Sequence, residues 1–143
     1  MQCIAANLDV PDIDQAVAFY RDNLDFAEGL RIPDADGRPR HATVWNGEAT
    51  IMFERLEHVP PERRPYLGSG VTLYIALDPD EDVDTLYSKA GRRGLNIVKP
   101  LRDEYWGARA FTLADLNGYH ITFAQQIAEL TPQQMIENLQ RQL

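Results

Sequence analysis

One order of elements, strand-helix-strand-strand-strand, can be read twice along these 143 residues, and no other feature restricts the possible folds as much. In the first copy, residues 2–9 read as a strand that Val10-Pro11-Asp12 brings to an end. Asp12 suits a helix cap, because its carboxylate can accept from the free amides of a first turn. Val17, Phe19, Tyr20 and Leu24 then recur at helical spacing, which predicts a helix over 13–24 with one apolar face. Residues 26–32 read as a second strand, and Pro33-Asp34-Ala35-Asp36-Gly37 as a turn. Strands at 39–46 and 49–56 meet at Asn46-Gly47, the strongest short hairpin signal.

Residues 57–68 carry three prolines and charges at Glu57, Glu62, Arg63 and Arg64, the composition of a linker. The order of elements then returns. A strand at 71–77 leads into the acidic run 78–84, which caps a helix reaching residue 90 and ended by Gly91 and Gly94. Strands follow at 95–100, 108–113 and 119–125, with Asp115-Leu116-Asn117-Gly118 turning the chain between the last two. Thr131 and Pro132 open an amphipathic helix through residue 143. The expected fold is α+β: one domain over 1–126, made of units 1–56 and 69–126, and a helical tail over 127–143. Such a length buries roughly two-thirds of the unfolded surface.

Several function classes fall away on composition. A net charge of -8 argues against nucleic-acid binding, which needs Lys and Arg to neutralise phosphates. It favours cationic or neutral small ligands. The apolar run 71–77 is strand-length, so no membrane segment is expected. Met1-Gln2-Cys3-Ile4 lacks a basic region followed by an apolar core, so no signal peptide is expected, and a single cysteine suits a reducing cytoplasm. Cys3 reads as a small buried strand residue, with a reactive thiol as the alternative. The chain has no Gly-rich phosphate loop, nucleophile elbow or paired-cysteine motif.

Two groups of residues carry a family resemblance. Leu8-Asp9-Val10-Pro11-Asp12 is followed by Ala18-Phe19-Tyr20-Arg21-Asp22-Asn23-Leu24; Trp106-Gly107 runs through Phe111 to Asp115-Leu116-Asn117-Gly118-Tyr119. These are similar to the opening and closing signatures of the vicinal-oxygen-chelate superfamily, the glyoxalase/bleomycin-resistance/dioxygenase proteins, over residues 1–126. Leu116 stands where proline is usual. The resemblance implies that each unit forms a curved mixed-sheet half-barrel, and that two units enclose a cleft commonly shared within a homodimer. Metal-dependent members place His, Glu or Gln at four inward strand positions, which match Ala5, Met52, Tyr74 and Thr122 here. Ala and Met lack hard donors, and Tyr and Thr rarely bind divalent ions. The resemblance thus implies the fold while arguing against metal-dependent glyoxalase, dioxygenase or epimerase chemistry; neither metal nor cofactor is expected.

Strand alternation puts Ala5, Asn7 and Asp9 on one face, and Thr50, Met52 and Glu54 on another. An inward Glu54 would be a costly unpaired charge unless a cation or donor meets it; at a strand end it would instead be solvated. Pairing across 115–118 sets Thr122 opposite Phe111, with Arg109 and His120 on the same side. Trp106, Phe111 and Tyr74 would then line an aromatic pocket whose polar groups are Arg109, His120 and Glu54, the usual make-up of a small-molecule site. Plain packing for Trp106 and Tyr74, and a solvated His120, are the alternatives. His41 and His58 receive no role. The leading expectation is a metal-independent binding protein, holding an antibiotic or aromatic metabolite in a dimer cleft lined by Asn7, Met52, Glu54, Tyr74, Trp106, Arg109, Phe111, His120 and Thr122. Its rivals are a metal-free lyase or isomerase using His120 or Glu54 as acid/base, and an interaction domain docking through the C-terminal helix.

Overall fold

The computed structural model describes residues 1–142, and its chain falls into two compact units. Unit 1 is Met1–Val71 with Leu116–Tyr119; unit 2 is Thr72–Asp115 with the chain from His120 onward. Each holds a four-stranded mixed sheet, so the fold is two tandem β-α-β-β-β units with a C-terminal helix.

In unit 1 the elements are β1 (Ala6–Val10), α1 (Ile13–Leu24), β2 (Ala27–Pro33), β3 (Pro39–Asn46) and β4 (Ala49–Arg55), ordered β1-β4-β3-β2. β1 runs parallel to β4, and the other pairs are antiparallel. Asp12 caps α1 by accepting from the Gln15 N–H at 3.0 Å. Asp25, left-handed at φ 59°, ends the helix; a short polar side chain bears that conformation better than most. Tyr20 is fully buried, with the rings of Phe19, Phe26 and Phe53 within 5.4–5.6 Å. Leu8, Ala42, Val44, Ile51 and Phe53 complete this α1-facing core, one face of the sheet by strict alternation.

β1 starts at Ala6 rather than residue 2, and Cys3 ahead of it is exposed rather than buried. The partner strand explains this. β4 pairs with β1 from Ile51 to Arg55 and itself begins at Ala49, so in this register residues 1–3 have no β4 residue opposite them. Residues 56–68 contain two short 3-10 helices, Leu56–His58 and Pro61–Tyr66.

Unit 2 repeats the plan with β5 (Thr72–Ala76), α2 (Val83–Arg92), β6 (Asn96–Asp103), β7 (Ala108–Ala114) and β8 (His120–Gln126), ordered β5-β8-β7-β6. Asp82 caps α2, accepting from Asp84 N–H and from the Thr85 hydroxyl. The helix runs through Gly91 to Arg92, and the positive φ of Gly94 follows it. Its core is Val83, Phe111, Leu113, Ile121 and Phe123, with Tyr87 edge-on to Phe111 at 5.1 Å. After β8 the chain crosses Gly107, whose carbonyl accepts from the amides of Ile127 and Ala128. Gly107 sits at φ +93°, and a Cβ there would run into the Ala128 carbonyl, which accounts for glycine after Trp106. α3 (Pro132–Gln142) begins with a reciprocal cap between Thr131 and Gln134 and buries no residue. Leu143, expected to end it, lies outside the described residues.

Candidate functional site: the sheet faces away from the helices

Each sheet packs one face on its helix, and the functional groups sit on the other, here called the far face. In unit 1 two rows cross it. Asn7, Met52 and Thr43 occupy one register row, and Asp9, Glu54 and His41 the next. Asn7 and Glu54 thus share the face of Met52, as alternation requires. Glu54 is not unpaired: Nδ1 of His41 lies 2.8 Å from its Oε1, with side-chain exposures of 20% and 28%. One strand over, Nε2 of His58 lies 2.9 Å from Oδ1 of Asp9. This row thus holds two neighbouring carboxylates, each with its own imidazole.

Unit 2 has the same rows with different chemistry. Ile51 and Phe53 of β4 correspond to Ile121 and Phe123 of β8, which makes Met52 the counterpart of Thr122 and Glu54 the counterpart of Ala124. The first row then reads Tyr74, Thr122, Thr112, and the second Ala76, Ala124, Ala110. The hydroxyls of Thr112 and Thr122 are 2.6 Å apart. Tyr74 is 53% exposed, and its hydroxyl accepts from Nε1–H of Trp106 at 3.2 Å. Trp106 packs on the buried alanines Ala108, Ala110 and Ala124. The small second row is what leaves room for an indole. His120, half-buried, is also on this far face, with no carboxylate beside it among the described residues.

The expected register of the last hairpin needs correcting. Thr122 pairs with Thr112, and Phe111 with Phe123. The turn takes in Tyr119, which is buried and donates its hydroxyl to the Asp9 carbonyl at 2.7 Å instead of joining the strand. One added turn residue moves every side chain of a strand to the other face relative to its partner. Phe111 and Arg109 therefore face α2, away from Tyr74, Trp106, His120 and Thr122. Phe111 is 1% exposed in the core, and Arg109 holds Asp84 and Asp103 at 3.1 and 2.7 Å. Hydrogen bonds to Asp103 first and Asp84 second raise the Arg109 guanidinium above its ordinary value. Glu54 belongs to unit 1, whereas the aromatic pair belongs to unit 2.

Asp9, His41 and His58 join the candidate groups without having been selected from the sequence, although for His41 the signal was there. A two-residue loop between strands 39–46 and 49–56 already places residue 41 opposite 54.

The four positions that the resemblance matches to the ligands of metal-dependent members offer poor donors. In unit 1, Ala5 has none and Met52 a soft thioether; in unit 2, the oxygens of Tyr74 and Thr122 are engaged by Trp106 and Thr112. Neither pair has donors that fit a divalent ion. Among the described residues no helix is long and apolar enough to cross a membrane.

A family model described as Glyoxalase/Bleomycin resistance protein/Dioxygenase superfamily matches residues 4–123. An uncharacterised protein of Mycobacterium tuberculosis is 29% identical over 134 residues, spanning 89% of this chain and 76% of that protein. Among solved structures, TioX from Micromonospora sp. ML1 is 27% identical, with a TM-score of 0.69 over 89% of this chain and all of that one. The bleomycin resistance determinant encoded on the transposon Tn5 is 21% identical, with a TM-score of 0.65 over 88% of this chain and 98% of its own, a likeness of fold.

Proposed function

The chain belongs to the glyoxalase/bleomycin resistance protein/dioxygenase superfamily, and on that premise we propose that it is a metal-independent small-molecule-binding protein that sequesters an antibiotic or aromatic metabolite. One observation carries this reading: Tyr74, half-exposed on the unit 2 far face, is held in place by the indole N–H of Trp106. An exposed aromatic ring that is already ordered loses little freedom when a flat ligand stacks on it, and aromatic rings of this size bury about 150–250 Å² each. The half-buried Thr122 hydroxyl, held by buried Thr112, supplies a polar group of the kind that orients a ligand. A second copy of the chain closes the platform, in a homodimer with two-fold symmetry.

The test starts from a thermal-shift screen of aromatic metabolites and antibiotics, since a ligand that binds only the native state raises its stability by mass action. Trp106→Ala and Tyr74→Ala should each weaken the selected ligand several-fold while the chain stays folded. Unchanged affinity in both folded variants would remove the platform from the reading. Sedimentation at micromolar concentration should give a dimer, and a monomer there would count against closure by a second copy.

A second reading, a metal-free lyase or isomerase, is favoured by the His41–Glu54 hydrogen bond. An imidazole oriented by a carboxylate can take and return a proton, whereas His120 has no such partner. Turnover of the selected ligand, lost in His41→Gln, would move the conclusion to this reading.

A further inference from the structure

A groove of about 330 Å³ lies between α1 and the bulged stretch of β2, on the opposite side of the unit 1 sheet from the far face. Its origin is local. The β2–β3 register shifts between Glu28 and Arg31, and at the bulge Thr43 places its hydroxyl where a Cβ of residue 29 would go. That hydroxyl accepts from Leu30 N–H at 2.8 Å, replacing the lost ladder bond. β2 therefore stands off from the helix. Its floor is apolar, from buried Val17 and Ala42 with half-buried Ala18. Its rim alternates in charge: Arg21 bonds Glu28 at 2.6 Å, and Arg31 bonds Asp14 at 2.5 Å, each pair tying α1 to β2.

We propose that this groove binds a small zwitterion with an apolar side chain, the chemistry of a free aliphatic α-amino acid. The volume falls at the lower end of small-ligand pockets. A ligand of single charge would match one sign at the rim and oppose the other, while an ammonium and a carboxylate on one carbon satisfy both. Arg31 bonds Asp14 through Nη2, which leaves Nη1 to donate to the ligand's carboxylate. Glu28 bonds Arg21 through Oε1, which leaves Oε2 for the ammonium. The rim pairs are 46–59% exposed, and pairs so exposed add little net stability, so they yield to a ligand at little cost. The apolar side chain takes the floor. This site is independent of the aromatic platform and stands or falls without it.

L-leucine is the probe, followed by amide chemical shifts of the full-length protein. Saturable shifts should map to Ala18, Gly29, Arg31 and Thr43. Isocaproate, which lacks the ammonium, and isoamylamine, which lacks the carboxylate, should each bind at least about tenfold more weakly, a factor of ten being 1.4 kcal/mol. Ala18→Leu fills the floor from a helix position where leucine is a good helix former, and it should abolish the shifts. Arg31→Gln should weaken leucine about tenfold on a fold confirmed by amide dispersion. Absence of saturable leucine shifts, shifts mapping away from the groove, equal binding of either single-charge analogue, or unchanged affinity in folded Ala18→Leu or Arg31→Gln would each overturn the proposal.

Discussion

The helix-facing and far faces of the two sheets have obeyed different rules. Toward the helices the units nearly coincide: Ile51 and Phe53 in one, Ile121 and Phe123 in the other, with a tyrosine from each helix, Tyr20 or Tyr87, against the aromatic cluster. On the far faces the same register holds Asp9, Glu54 and His41 in unit 1 but three alanines in unit 2. The backbone ladder is identical in kind, so it does not choose between these rows. The helix side is bound by packing at near-crystalline density, where a methylene matters. The far side is bound only by what it must meet.

That contrast can be attacked at several strengths. Phe53→Ala and Phe123→Ala should each cost about 3–5 kcal/mol in urea unfolding, because both leave cavities in equivalent cores. A large disparity between them would break the equivalence of the helix sides. A smaller effect is expected on the far face. His41→Ala takes the donor from a partly buried carboxylate that already neighbours Asp9, and should cost about 1–3 kcal/mol. Replacing Asp9, Glu54 and His41 together with alanine, which copies the unit 2 row, should recover most of that loss. If the triple variant is instead the least stable, the row is structural and the far faces are not free to differ.

The smallest effect lies in the pH dependence. The hydrogen bond from Arg55 holds the Asp34 carboxyl below its ordinary 3.8, and the bond from the Thr85 hydroxyl does the same for Asp82. A lower folded value means fewer protons bound when folded. Each group therefore contributes stability above pH 3.8 that is lost as pH falls through the folded value. Asp34→Asn and Asp82→Asn should each flatten the acid limb of stability, one acting in each unit, and an unchanged limb in either would show that its carboxylate is not held as described.

The duplicated plan was legible in the sequence because it is written in local signals: the Asp12 and Asp82 caps, the Gly47 turn, the apolar spacing of Val17, Tyr20 and Leu24. The ends were less so. Nothing within residues 2–5 says where their pairing with β4 stops, since that depends on a strand more than forty residues away. The candidate site was legible in residue types but not in sidedness. Tyr74, Trp106 and Thr122 gather on one face, while Phe111 and Arg109 turn to the other because Tyr119 leaves the strand for a bond to Asp9. A bond to a residue 110 positions earlier has no trace in local pattern. The His41–Glu54 pair was the reverse case, a long-range contact that loop length alone predicts.

The placement of Tyr119 also bears on how such a chain can be taken apart. The residues Leu116–Tyr119 sit between two strands of unit 2 yet belong to the compact body of unit 1, where the Tyr119 ring lies close against Gly68. Cutting the gene between the repeats would leave the first fragment lacking a piece encoded by the second. The repeats are therefore interleaved, and neither is a cassette that recombination could lift out whole. A designer seeking a single repeat would have to supply the missing tyrosine from elsewhere; a circular permutation that keeps 116–119 in place would not face that demand.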